Sequence, residues 1–213
     1  MKALEFPPGD LTVLCLGAHP DDIEIGCGGT LLTLARRGNV HAHHLTLTGT
    51  AQRAIEARNA ASAFSPGSEF DCAELPDARL PEVWHEVKTA LHRWQTEVPA
   101  PDIIFAPRAD DAHQDHALLG SLVSTVWRDS LILHYEIPKW DGDLSRPNSY
   151  VEIDPVLARR KVELLNEHFP SQLAHEWWDD ELFLALLRVR GMETRTRYAE
   201  AFTVSKALIS FGF

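Results

Sequence analysis

Short apolar runs of strand length alternate with amphipathic stretches of helix length through most of this chain, and that alternation restricts the fold more than any other feature. Thr12 to Leu16, Ile103 to Phe105 and Leu131 to Tyr135 are too short for helices and read as buried strands, with Val40 to Leu47 a longer one. A loop from Gly17 to Gly29 leads into a helix from Thr30 to Arg37, stopped by Gly38. Further helices are expected at Ala51 to Ala63, at Leu80 to Thr96 and at His116 to Trp127. In the second of these Pro81 sits in the first turn, and Val83, Val87, Ala90, Leu91 and Trp94 form one stripe. The pattern weakens beyond Trp140 through a loop containing Pro and Asp. It resumes with helices at Val156 to Glu167 and Glu181 to Arg190 and a late strand near Phe202 to Val204. Strands alternating with helices imply right-handed crossovers and a mostly parallel sheet with helices on both faces. The expectation is an α/β fold, three-layered and Rossmann-like, in a single domain spanning residues 1–213.

Composition narrows the partners. A chain of 213 residues with 45% apolar content is long enough for one such domain and short for two. Its net charge of -11 repels phosphate backbones and anionic lipid, so neither nucleic acid nor a membrane surface is an expected partner. The run from Leu11 to Leu16 is far shorter than a signal sequence core or a spanning helix, and the segment before it carries only Lys2 as a side-chain cation. Three cysteines, Cys15, Cys27 and Cys72, are an odd number without close spacing. They suit reduced thiols better than disulfides or a cysteine zinc site, and a cytoplasmic location is expected.

In open parallel sheets, ligands bind outside the carboxyl ends of the strands. Two such ends carry the same chemistry here. Ala18-His19-Pro20-Asp21-Asp22 follows the first strand, and Asp110-Asp111-Ala112-His113-Gln114-Asp115-His116 follows the strand at Ile103. If the two strands are neighbours, the clusters face each other. Catalytic zinc takes three nitrogen or oxygen ligands and leaves a position open, which two ligands from one loop and one from the other would satisfy. The surplus carboxylate and imidazole could shuttle protons and stabilise an oxyanion. Spacing alone leaves Asp21 and Asp22 equivalent as ligands.

These motifs resemble the PIG-L/LmbE-like family of metal-dependent N-deacetylases, which act on N-acetylglucosamine conjugates. The resemblance rests on Ala-His-Pro-Asp-Asp at 18–22, on Ile-Glu-Ile-Gly-Cys-Gly-Gly-Thr at 23–30 and on His-Gln-Asp-His at 113–116. Weaker similarities lie at Thr48-Gly49, Arg53 with Glu56, Pro76-Asp77 and Tyr198 to Phe202. It implies that His19, Asp22 and His116 bind zinc, with iron(II) the alternative metal. Asp21 would be the base that deprotonates the attacking water. His113 would stabilise the oxyanion or protonate the leaving amine, with Asp115 orienting and charging it. Arg53 would contact substrate. The implied substrate is a small soluble N-acetyl sugar, and a homo-oligomer is compatible with it. A metal hydrolase of another N-acyl or ester bond, and a sugar-binding homologue without catalysis, are the alternatives. Thr50 to Gln52 is a short version of a segment that shapes the pocket in the family, and the motifs assign no role to Ile137 to Ile153, a candidate segment for substrate determinants.

Other features have plainer readings. Gly26, Gly28 and Gly29 do not make a dinucleotide fingerprint, because the third glycine would fall on Leu31. His41, His43 and His44 lie along a strand, where alternate residues face opposite sides and ordinary packing is expected. Trp84 and Trp94 are expected in the core, whereas Trp140, Trp177 and Trp178 fall in less regular segments that could stack on a sugar. Tyr135, at a strand's carboxyl end, is a candidate substrate contact.

Overall fold

A computed structural model describes residues 2–210, so residue 1 and residues 211–213 of the expected domain lie outside the described residues. The strands are β1 (Leu11–Gly17), β2 (Val40–Thr48), β3 (Glu69–Leu75), β4 (Ile103–Pro107), β5 (Leu131–Tyr135), β6 (Ser149–Ile153) and β7 (Tyr198–Thr203). The helices are α1 (Asp22–Arg37), α2 (Ala51–Phe64), α3 (Trp84–Glu97), α4 (Gln114–Val126), α5 (Pro155–His168) and α6 (Asp180–Thr194). One sheet has the order β3-β2-β1-β4-β5-β7-β6; it is parallel through β5, and β7 runs antiparallel to both β5 and β6.

β1 shows why three layers form. Val13 and Cys15 point into a core shared with α1, α2, α5 and α6, while Leu14 and Leu16 point into a second core built with α3 and α4. Both faces are apolar, so each needs a layer of helices over it. Among the described residues, no helix is long and apolar enough to cross a membrane.

Several local expectations are corrected. α1 begins at Asp22, eight residues before the expected Thr30, and takes in the glycine-rich stretch. Glycine disfavours helix by about 1 kcal/mol, and tertiary packing overrides it here. A Cβ on Gly26 would penetrate the Tyr135 ring, and one on Gly28 would lie 2.6 Å from Phe64. The bare backbone is what lets α1 lie flush on the sheet and on α2. A buried ion pair fixes the same helix: Glu200 of β7 accepts from Gly29 N (2.7 Å) and Thr30 N (2.6 Å), while Lys161 of α5 donates to Glu200 (2.7 Å) and to Ile25 O (2.6 Å).

β3 and β6 were not expected. Both lie at sheet edges and are only partly buried, so their sequences read as polar. Leu80–Val83 is a 3-10 turn leading into α3, not its first turn. Trp94 is buried and donates from Nε1 to Asp71 (2.6 Å), but Trp84 is 48% exposed and is not core. α4 starts two residues before His116, with His113 as its N-cap.

Gly26→Ala should improve helix propensity by about 1 kcal/mol yet overpack Tyr135 by about 1–3 kcal/mol. The expected net is a loss of stability, a melting temperature lower by a few degrees in a thermal scan. An unchanged or raised melting temperature would show that the Tyr135 ring yields and that the close approach is not required.

Candidate metal centre

Strand order sets the site. From β1 the chain proceeds to β2 on one side, whereas β4 lies on the other, so the crevice at the carboxyl ends of β1 and β4 is a topological switch point. The two motif loops emerge there. The first is anchored by Thr48, which donates to Ala18 O from N (3.0 Å) and Oγ1 (2.8 Å), and by Arg53, which donates to Pro20 O. Asp22 opens α1 and accepts from His19 N (2.8 Å), folding the motif back on itself. Asp21, just before it, has φ of 120°, a strained value for a residue with a Cβ.

The structure brings His19, Asp22 and His116 together. His19 Nδ1 and His116 Nε2 are 3.1 Å apart, His116 Nε2 lies 3.2 Å from Asp22 Oδ1, and His19 Nδ1 lies 3.5 Å from Asp22 Oδ2. Two ligands at about 2.1 Å from zinc, subtending a tetrahedral angle, stand about 3.4 Å apart. The first two separations are near that value, the third is made to the other carboxylate oxygen of Asp22, and the donors are the nitrogen and oxygen types that zinc accepts. A nitrogen of His113 also falls within 4.8 Å of nitrogens of His19 and His116, so the third imidazole borders the same point.

Electrostatics separate the two consecutive aspartates. Burial alone would raise Asp22, but the imidazoles of His116 and His19 hold it well below the usual carboxylate range. Asp21 is raised to about 7 by burial, against the opposing pull of Arg53, whose Nη2 is 2.7 Å from Asp21 Oδ2. Burial would lower His116, yet Asp22 and Asp111 raise it to about 9. His19 is likewise raised well above its ordinary value, against burial, by Asp22 and Asp115. His113 is lowered by burial and by the neighbouring His116 and His19, so it is neutral at pH 7. Its Nδ1 accepts from Asp115 N (3.3 Å), which puts the proton of the neutral ring on Nε2.

A model of the family described as GlcNAc-PI de-N-acetylase matches residues 14–127, more than half of the chain. The chain belongs to the PIG-L family. This PIG-L chain is also 30% identical over 173 residues to the uncharacterized deacetylase YaiS of Escherichia coli K12, an alignment spanning 76% of this chain and 86% of that one. Conserved protein TT1542 of Thermus thermophilus superposes with a TM-score of 0.75 at 23% identity, covering 94% of this chain and 97% of that one. The N,N'-diacetylchitobiose deacetylase of Pyrococcus horikoshii superposes with a TM-score of 0.69 at 23% identity, covering 91% and 83%. These two likenesses concern the fold.

Two expectations for the PIG-L site change. Tyr135 is fully buried, packed over Gly26, and donates to Leu16 O (2.7 Å), so it supports the loop and does not face the crevice. The Asp115 carboxylate does not orient His113. It accepts from Leu80 N (3.0 Å) and lies 3.3 Å from His19 Nε2, so only the backbone N–H of residue 115 serves His113.

The exposed Asp77, marked in the sequence only as part of the weak Pro76-Asp77 similarity and given no role there, also reaches His19 Nε2, at 3.2 Å. Asp111, 3.2 Å from His116 Nδ1, is one of several aspartates in its cluster with nothing local to distinguish it. Lys139, 3.0 Å from Asp111, comes from a loop whose approach only the fold reveals. His43 faces Glu69 at 3.6 Å and His44 faces Ser65 at 3.1 Å, both strand-face contacts away from this site. Trp178 packs against Phe169 and Phe183 in the core, while Trp140 is 74% exposed.

The raised groups fix a sign for pH. His116, lifted from 6.5 to about 9, contributes stability that is complete below about pH 6.5 and lost as pH rises through about 9. Asp21, favoured in its protonated form by burial, acts in the same direction through about 7. Chelator-treated protein should therefore melt at progressively lower temperature between pH 6.5 and 9, by some 2–4 °C per kcal/mol lost. Added zinc should reverse the trend, since ligation requires neutral imidazoles. A flat or rising curve for the metal-free protein over that window would contradict the charge pairing described.

Proposed function

We propose that this chain, as one domain over residues 1–213, is a cytoplasmic zinc-dependent hydrolase. It removes the acetyl group from an N-acetylglucosamine-type sugar or sugar conjugate, releasing acetate and a free amine. The observation that carries this reading is the triangle of His19, Asp22 and His116, with edges of 3.1–3.5 Å, beside a buried carboxylate that titrates at about 7. Family membership supports the deacetylase reading, and the name of the Pyrococcus relative supports an acetylated amino sugar as substrate.

Zinc or iron(II) held by that triangle would supply a Lewis acid for the acetamide carbonyl and would acidify water at neutral pH. Asp21 takes the proton of the attacking water, and a value of about 7 places it where a general base works best at neutral pH. Arg53 clamps Asp21 and Pro20 O, holding the base in its strained backbone geometry. Its Nε is buried without a hydrogen-bond partner, and substrate contact falls to what the guanidinium has free beyond the Nη2 bonds to Asp21 and Pro20. His113, neutral and protonated on Nε2, donates to the developing oxyanion, and the proton gathered by Asp21 goes to the departing amine. Asp115 acts through His19, holding its ring while Leu80 N holds the carboxylate. The net charge of -11 disfavours an anionic lipid surface and suits a soluble sugar.

Protein loaded with zinc, or anaerobically with iron(II), should release acetate and primary amine in equal amounts from a panel of N-acetylglucosamine derivatives. Asp21→Asn should keep the metal and lose roughly 100- to 10,000-fold in turnover, and His113→Ala should lose roughly 100- to 1,000-fold. Phosphate release from phosphosugars, or ester cleavage without amide cleavage, would replace the proposed bond. Metal-loaded wild type as inactive as Asp21→Asn over the whole panel would leave a sugar-binding protein.

A further inference from the structure

Behind each proposed imidazole ligand stands a buried carboxylate. His19 turns Nδ1 toward the triangle and Nε2 toward Asp115, and His116 turns Nε2 toward the triangle and Nδ1 toward Asp111 Oδ1 at 3.2 Å. The second pair has the more elaborate support. Asp111 Oδ1 also accepts from His113 N (2.9 Å), and its Oδ2 accepts from Lys139 Nζ (3.0 Å). Lys139 is in turn 2.8 Å from Asp143, which accepts from Ala112 N (2.8 Å) and lies 3.5 Å from Arg108. The side chains of Asp111 and His116 are almost wholly withdrawn from water, and His116 Nδ1, buried without a hydrogen bond of good geometry, has Asp111 Oδ1 as its ion-pair partner at 3.2 Å.

We propose that Asp111, pinned by Lys139 of the loop after β5, is the positioning residue that holds His116 in its ligating tautomer. This extends the metal reading given above, and it concerns a residue that touches neither metal nor substrate.

The argument is one of hydrogen bookkeeping on a buried ring. A neutral imidazole that offers the Nε2 lone pair to a cation must carry its proton on Nδ1, and a buried N–H needs an acceptor. Asp111 Oδ1 is the acceptor within reach. Remove it and the ring does better with the proton on Nε2, where it blocks ligation. Lys139 matters for a related reason. It fixes the second carboxylate oxygen, so Asp111 cannot rotate away, and its charge compensates a carboxylate that would otherwise be buried without a cation. Partners of this kind behind metal-bound histidines typically strengthen metal binding 10- to 100-fold, roughly.

The loop from Ile137 to Asp143 thereby gains a specific role. It reaches the metal centre through two charge contacts without supplying a ligand, coupling the segment beside β5 to the ligand carried by α4.

The test measures metal affinity rather than turnover. Metal-stripped wild type, Asp111→Ala, Lys139→Met and His116→Ala are titrated with Zn2+ against a chromophoric chelator, and with Co2+ to record its absorption spectrum. Asp111→Ala should bind roughly 10- to 100-fold more weakly. Lys139→Met should show a smaller loss in the same direction, with circular dichroism unchanged in both. Nitrogen NMR of the histidine rings in the zinc form should place the His116 proton on Nδ1 in wild type. If Asp111→Ala does not fold, Lys139→Met and the NMR assignment decide. Affinity within twofold of wild type in the folded Asp111 or Lys139 variant, while His116→Ala loses the metal, would overturn this inference alone. Wild type that binds no divalent cation, or His116→Ala that binds as tightly as wild type, would instead remove the metal reading beneath it.

Discussion

Opposite charges meet out of water at the carboxyl ends of β1 and β4, and each is tolerable only because another faces it. Asp22 lies between His19 and His116, Asp21 faces Arg53, Asp111 faces His116 and Lys139, and Asp115 faces His19. Breaking a buried pair of this sort by removing one partner typically costs about 3–5 kcal/mol, because the survivor stays buried and uncompensated. The set is consequently interdependent, and no member can be placed before the sheet has brought the two loops together. The parallel pairing of β1 with β4, with Val13 opposite Ile103 and Cys15 opposite Phe105, is what puts residue 19 beside residue 116.

Because Asp22 is the first residue of α1 and Asp21 immediately precedes it, whatever fixes that helix also fixes a proposed ligand and the proposed base. The glycines at 26 and 28 let the helix lie against Tyr135 and Phe64, and the Lys161–Glu200 pair grips its middle from α5 and β7. Tyr135 in turn donates to Leu16 O, at the end of β1. Elements far along the chain thus tie down the first motif, which is how a strained φ at Asp21 can persist. The acidic residues Asp22 and Glu24 in the first turn also sit where the helix dipole favours negative charge.

These dependencies explain which parts were legible in the sequence. β5, bounded by a polar segment and a clean apolar run, was readable to the residue, and the doubly covered sheet followed from strands without a polar face. Edge strands β3 and β6 were not readable, because a strand half open to solvent loses the apolar signature. α1 was misplaced at its start because propensity assigns glycine to loops, while the contacts that favour helix there come from residues 64, 135 and 200. At the site, residues that sit inside a motif, such as His19, Asp21, Asp22 and His116, announced themselves as candidates, and the family resemblance distributed the roles among them. Asp111 and Lys139 did not, since their relation is set by the packing of one loop on another. Tyr135 misled for the converse reason: a position at a strand's carboxyl end is shared by residues that face the crevice and residues that face the core, and only the pleat distinguishes them.

Sequence spacing left Asp21 and Asp22 interchangeable, the resemblance separated them, and their surroundings differ in the sense the proposed roles need. Asp22 sits between two imidazoles, which hold its carboxyl well below the usual carboxylate range against burial, as suits the proposed ligand. Asp21 is raised to about 7 because burial, helped by the charge of Asp22, outweighs the opposing pull of Arg53 and His19. Paired titratable groups whose environments drive their acidities apart are how one site obtains both a fixed charge and a working base. The chain gets this asymmetry from distant neighbours, Arg53 on one side and His116 on the other, which is why two identical side chains in succession can do different work.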